Sequence, residues 1–187
     1  MPKIDEMQLK KEIKSGDFKN AYLLYGEESY LKEYYANELK NKIVDKTFEA
    51  FNYHSFDGKD TELDDILKDA QMLPMMSEYN FVLVKDYPIE KSSNDIKLLE
   101  EYLSDAPDST VLLFWFDALD PDVKSAKFKK VIKAFEKAGN CVELQKRSEN
   151  DVAKLLVNGA KKTRCFIRYK CCKIFDKCFR QRYEKFA

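Results

Sequence analysis

Five short apolar runs, spaced by amphipathic stretches, constrain this chain more than any other feature of its sequence. Ala21 to Tyr25, Phe81 to Val84 and Val111 to Phe116 are apolar on consecutive positions, as in strands covered on both faces. Phe48 to Phe56 alternates aromatic and polar residues before the turn signal Asp57-Gly58, predicting another strand, and Cys141 to Leu144 predicts a fifth. Helical spacing recurs between them. Leu9 and Ile13 belong to a first helix stopped at Gly16, and Leu31, Tyr34, Tyr35, Leu39 and Ile43 to a long one from Glu27 to about Lys46. Leu63, Ile66, Leu67 and Ala70 mark a third ending near Pro74, and Ile96 to Leu103 a fourth; Lys124 to Lys137, stopped at Gly139, and Glu149 to Lys162 follow. Parallel neighbours need a crossover, which a helix supplies. The expected fold is α/β, a five-stranded, mainly parallel sheet with helices on both faces.

The chain has 187 residues, room for one full domain and part of a second. No apolar run approaches the roughly 20 residues of a membrane span, and the opening MPKIDEMQLKKEIKSG lacks a signal peptide's apolar core. The expectation is a cytoplasmic protein with reduced thiols and no membrane partner. Net charge is zero but uneven. Residues 164–187 hold eight Lys/Arg against two Asp/Glu, leaving 25 against 31 for residues 1–163. A mildly acidic body argues against nucleic-acid binding through a broad basic face.

Catalytic chemistry is hard to find. After the first strand, where an open α/β sheet would bind phosphate, the chain reads Gly26-Glu27-Glu28-Ser29-Tyr30-Leu31-Lys32. A phosphate-cradling loop needs several glycines and then Lys-Ser/Thr; one glycine and two carboxylates predict a structural strand-to-helix turn. The third strand ends Lys85-Asp86, where a magnesium-dependent hydrolase would place Asp beside Glu. His54 is the single histidine, so no Ser-His-Asp or His-rich metal site can form, and it reads as a satisfied structural residue. Asp64-Asp65 and Glu100-Glu101 lie on helices of mixed charge and read as solvated faces. Cys165, Cys171, Cys172 and Cys178 lack the Cys-x2-Cys knuckle of a zinc site, and no metal or cofactor is expected. The tail aromatics, Phe166, Tyr169, Phe175, Phe179, Tyr183 and Phe186, interleave with Lys and Arg as in single-strand binders but have no predicted fold to hold them.

One segment breaks amphipathic patterning: Asp69-Ala70-Gln71-Met72-Leu73-Pro74-Met75-Met76-Ser77. Periodicity favours Leu73, Met75 and Met76 as a plug on the end of the sheet. The alternative is an exposed anchor, since flexible thioethers suit adaptable binding surfaces and a few apolar anchors can dominate an interface.

The series Ala21-Tyr22-Leu23-Leu24-Tyr25-Gly26-Glu27-Glu28-Ser29-Tyr30-Leu31, then Asn52 to Phe56-Asp57-Gly58, then Leu73-Pro74-Met75-Met76-Ser77-Glu78 leading into Phe81-Val82-Leu83-Val84, resembles the delta subunit of the bacterial DNA polymerase III clamp loader over residues 1 to about 162. The resemblance implies a degenerate AAA+, P-loop-like domain over residues 1–144, without a working nucleotide site at Gly26, Glu27, Glu28 and Ser29. It implies the start of a helical lid domain over 145–163. It also implies that the sliding clamp and other loader subunits are partners, with DNA engaged indirectly. The family's clamp-binding element is a Gln followed by two adjacent apolar residues. Gln71 with Met75 and Met76 matches that layout, Leu73 and Pro74 flank it, and the family often has Phe at one of the methionine positions. No catalytic residue is implied, although the subunit belongs to a nucleotidyltransferase complex. Family members continue into a helical second domain and a collar, whereas this chain turns basic and Cys-rich after Lys161-Lys162-Thr163. A reading-frame shift near those lysine codons, or an equivalent gene-model artefact, is the expectation for residues 164–187, and if the tail is spurious its zinc and nucleic-acid readings fall with it. Two alternatives stay open: a P-loop-like nucleotide hydrolase, and a small nucleic-acid-binding protein using the basic tail.

Overall fold

The computed structural model describes residues 4–146 and Asn150. The helix expected from Glu149, the lid segment beyond Lys146 and the tail after Thr163 therefore lie outside the described residues. Residues up to Gln145 form one compact unit.

Helix α1 (Glu6–Ser15) starts where the Asp5 carboxylate accepts the Gln8 N–H at 2.8 Å. It stops at Gly16, whose φ of 78° closes the last turn. Strand β1 (Ala21–Tyr25) is buried throughout. Helix α2 (Ser29–Ile43) is shorter than the Glu27–Lys46 span expected: the Glu28 N–H is already spent on the Leu144 carbonyl, and Val44 turns extended. A second correction concerns the alternating aromatic run. Glu49–Asn52 forms a helical turn, α3, whose Phe51 and Asn52 N–H groups donate to the Phe48 carbonyl, so β2 is only Tyr53–Asp57. Lys40 braces this junction, its ammonium 2.6 Å from Glu49 and 3.8 Å above the Tyr53 ring.

The remaining elements follow the expected series. They are α4 (Leu63–Ala70), β3 (Asn80–Lys85), α5 (Ser93–Ser104), β4 (Thr110–Trp115), α6 (Ala126–Ala138) and β5 (Asn140–Glu143). Ser92 and Ser125 cap α5 and α6 by accepting the N–H groups of Asp95 and Phe128.

The strands lie in the order β2-β3-β4-β1-β5, and every pairing is parallel. Because side chains alternate across a strand, β1 sends Ala21, Leu23 and Tyr25 to one core and Tyr22 and Leu24 to the other. The first core packs β-strand residues such as Val84 and Phe114 against Ile66 of α4, Leu99 of α5 and Phe135 of α6. The second packs Phe81, Leu113 and Val142 against Leu9 of α1 and Leu39 of α2. Helices thus cover both faces, as the consecutive apolar runs require. The edge strand β2 is only partly covered, which fits its alternating sequence. Among the described residues no helix is long and apolar enough to cross a membrane.

Candidate functional site

The loop from Gln71 to Tyr79 joins α4 to β3 and carries a concentrated group of exposed apolar side chains. Met72, Leu73, Met75 and Met76 are 51%, 81%, 53% and 79% exposed. They are four of the eight large hydrophobic side chains exposed among the described residues, packed into five consecutive positions. Full burial of one such side chain stabilises by about 1.5–3 kcal/mol, and this segment forgoes most of that term at Leu73 and Met76 and about half of it at Met72 and Met75. The sheet-plug expectation is thereby corrected: Leu73, Met75 and Met76 do not close the core. Pro74 is half-buried between them, and Gln71 sits exposed at the end of α4, its N–H donating to the Leu67 carbonyl.

The loop's backbone is held from below by two asparagines that sequence reasoning did not single out. Asn52 and Asn80 are each 1% exposed. They sit immediately before Tyr53 and Phe81, which pair across β2 and β3. The Met75 N–H donates to Asn52 Oδ1 at 2.6 Å, and Asn52 Nδ2 donates to the Met75 carbonyl at 2.8 Å. Asn80 Nδ2 donates to the carbonyls of Asp69 (2.9 Å) and Met72 (3.3 Å). The Tyr102 hydroxyl adds a bond to the Ala70 carbonyl. Met76 adopts φ 53°, an uncommon value for a side chain of its size. Phe51, 58% exposed and adjacent to Asn52, lies at the same end of the sheet. The one available signal was an asparagine opening an otherwise apolar strand, Asn80-Phe81-Val82-Leu83-Val84, because a buried amide must find partners.

Beside the loop, α4 and α5 form a shallow groove of about 280 Å³ whose lining includes Leu67, Gln71, Leu98 and Tyr102. Gln71 therefore faces this groove, while the methionines stand beyond it. Asp64 and Asp65 are exposed and share Lys68, as a solvated face would. His54 is less complete than expected. Its Nδ1 lies 3.2 Å from the Asp69 carboxylate, but Nε2 is buried without a hydrogen bond among the described residues.

At the opposite ends of the strands, the loop at Gly26 is filled by the protein itself. Gly26 has φ 113°, and a Cβ there would sit 2.5 Å from the Leu144 carbonyl oxygen. The Glu28 N–H donates to that same oxygen, so it does not point at a ligand. Lys32, 3% exposed, turns its ammonium back onto the Gly26 carbonyl at 2.7 Å. Burial pushes this ammonium's pKa down, partly opposed by the carboxylates of Asp117, Asp120, Asp86 and Glu28. Glu27 is exposed, and Ser29 only opens α2.

Asp86 is likewise committed. It is 2% exposed at φ 53°, and its carboxylate accepts from the backbone N–H groups of Asp117, Ala118 and Leu119 at 2.7–3.2 Å. Burial disfavours its charged form, but these donors and Lys85 outweigh burial and hold its pKa below the ordinary value. Lys85 pairs with Asp117 at 2.9 Å. Groups that would serve phosphate and magnesium in a hydrolase are thus consumed in fastening loops. Among the described residues no cluster of His, Cys, Asp and Glu could hold a metal ion; the four tail cysteines lie outside them.

Sheet order and helix placement define an α/β domain of AAA+-like fold in which the loop after β1 is closed by Lys32 and the Leu144 carbonyl and the α4–β3 loop displays apolar groups. Its fold is similar to that of RuvB from Thermotoga maritima, with a TM-score of 0.51 at 13% identity over 89% of this chain and 51% of that one. It is more similar to the DNA clamp loader delta protein of Bacillus subtilis, with a TM-score of 0.68 at 24% identity over 89% of this chain and 50% of that one. Residues 22–145 match the family model for the DNA polymerase III delta subunit. The chain belongs to that family. DNA polymerase III subunit delta of Bacillus subtilis is 30% identical over 158 residues, which is 81% of this chain and 44% of that protein. The chain therefore spans less than half the length of the curated relative it matches.

Proposed function

We propose that this chain acts in DNA replication as a clamp-loader delta subunit, binding the sliding clamp through Gln71, Leu73, Pro74, Met75 and Met76 and helping to open the ring for loading onto DNA. The observation that carries the reading is the cluster of four exposed apolar side chains on a backbone already fixed. Such an anchor fills a pocket at little ordering cost. Family membership supports the choice of partner. In the complete subunit the other loader proteins are further partners, DNA is reached indirectly, and the cytoplasm is the site of action.

The mechanism is differential binding. A ligand shifts a two-state ring only by its preference for one state, and moving it from about 1:99 to 99:1 takes roughly 10⁴-fold, or about 5.5 kcal/mol. Hot-spot contacts are worth about 2 kcal/mol each, so three made only on the open ring supply that much. No hydrolysis by this chain enters the step. The closed Gly26 loop and the committed Asp86 weigh against the nucleotide-hydrolase alternative. The nucleic-acid alternative rests on the tail, outside the described residues.

Ring opening is measured with a fluorophore pair placed across one clamp interface. Adding the chain without ATP separates the pair, and an unchanged signal at saturating, independently verified binding would contradict the opening role while leaving clamp binding intact.

A further inference from the structure

Asn52 is an expensive residue to place where it stands. An amide buried to 1% exposure must satisfy its donors and acceptor within the protein. Little of that demand is met by its own segment: a 3.3 Å bond to Phe48 is local, whereas the two shorter bonds, 2.6 and 2.8 Å, cross to the N–H and carbonyl of Met75, 23 positions away. Asn80 donates its amide nitrogen to the carbonyls of Asp69, in the last turn of α4, and Met72, at the start of the loop, while its Oδ1 has no hydrogen bond among the described residues. The two side chains flank the apolar cluster, one beneath Met72 and one beneath Met75. Neither touches the exposed side chains through these bonds; both take hold of the main chain that carries them.

From this we infer that Asn52 and Asn80 are positioning residues for the docking loop, clips that keep Met72 to Met76 in one outward-facing conformation before any partner arrives. The inference rests on the clamp-binding reading for its consequence, but not for its physics. Leu73 and Met76 are largely exposed and Met72 and Met75 about half exposed, so apolar packing alone holds this segment weakly. Left free, it would lose backbone conformational entropy on docking, and affinity would fall by that cost. Reciprocal hydrogen bonding to Met75 removes both of that residue's backbone groups from competition with water. It also fixes the approach to Met76, whose positive φ turns the chain back toward β3.

The test uses the full chain and two independent readouts. Amide hydrogen exchange on the protein alone comes first. The Met75 N–H exchanges at least about 100-fold more slowly than an unprotected amide although its side chain is exposed, and exchange at the unprotected rate would overturn the inference with no variant made. In Asn52→Ala, exchange across residues 72–76 accelerates at least about 10-fold while Val82 and Val84 in β3 stay protected. Should Asn52→Ala not fold, Asn80→Ser is measured the same way. Titration against the sliding clamp comes second. Asn52→Ala binds about 10-fold more weakly than wild type, yet adds less than 2-fold to the loss caused by Met75→Ala/Met76→Ala, because it acts through those side chains. A folded Asn52→Ala with loosened loop amides and wild-type affinity would overturn the positioning role. Wild-type chain with a protected loop but no affinity for the clamp would instead remove the functional reading and leave the clips standing.

Discussion

Individual side chains in this domain fasten its loops at the carboxyl ends of the strands, Lys32 on the Gly26 carbonyl and Asp86 on the N–H groups of Asp117, Ala118 and Leu119. Asp86 illustrates the energetics. Its folded pKa lies below the ordinary 3.8, so its ionised form contributes stability above that value, and the contribution is lost as pH falls below 3.8 through the folded pKa. Asp86→Asn is expected to cost about 2 kcal/mol at neutral pH, since charge-assisted bonds are worth about 1.5–3. It should also flatten the fall in urea midpoint as pH drops below about 4, and a parallel fall in both proteins would contradict the assignment. Lys32→Met leaves the Gly26 carbonyl without its partner. The expected loss is about 1–3 kcal/mol by denaturant unfolding, the usual cost of an orphaned buried acceptor. Tyr22 lies near Glu12 in another such internal network: Asn140 Nδ2 donates to the Glu12 carboxylate at 2.6 Å, tying α1 to β5. These contacts were invisible in the sequence. Gly26-Glu27-Glu28 showed that a phosphate cradle was absent, but that Lys32 would replace it depends on a helix folding back over its own first loop.

At the scale of elements, caps and edges decide more than propensity. Ser125 accepts the Phe128 N–H and lies 3.3 Å from the Glu90 carboxylate, joining α6 to the loop after β3. Ser125→Ala should therefore cost about 1 kcal/mol in thermal or urea unfolding, and a change under a few tenths would show the cap to be dispensable. Strand positions were legible because β1 and β4 lie at the centre of the sheet and need apolar residues on consecutive positions. The edge strand was misjudged at its start. Phe48-Glu49-Ala50-Phe51 alternates like a strand, yet Asn52 and the Lys40–Glu49 pair bend it into a helical turn. The α4–β3 loop shows a similar limit. Its composition marked it as unusual, but whether Leu73, Met75 and Met76 plug the sheet or face outward depends on asparagines placed 23 and 8 positions away, beyond any local periodicity. One consequence reaches past the loop. Phe51, exposed beside Asn52, is expected to contribute at the edge of the docked surface, with Phe51→Ala weakening clamp binding about 3- to 10-fold; an unchanged affinity would restrict the interface to the α4–β3 loop.

At the scale of the whole molecule, this domain of the DNA polymerase III delta subunit family closes the loop after β1 internally at one end of the sheet and displays exposed apolar side chains at the other. A sealed site predicts indifference to nucleotide: magnesium-ATP at millimolar concentration should leave the melting temperature unchanged, whereas even binding at 100 times Kd would add about 2.7 kcal/mol. The most direct test of the central claim is the affinity of the chain for the sliding clamp of the same organism, measured by titration beside the Met75→Ala/Met76→Ala variant. Truncating hot-spot anchors costs 2 kcal/mol or more, so the account predicts specific binding by the wild type and a loss of about 30-fold or more in the variant, with both proteins equally folded. Equal affinities would place the interface elsewhere, and no binding by a folded wild-type chain would contradict the account.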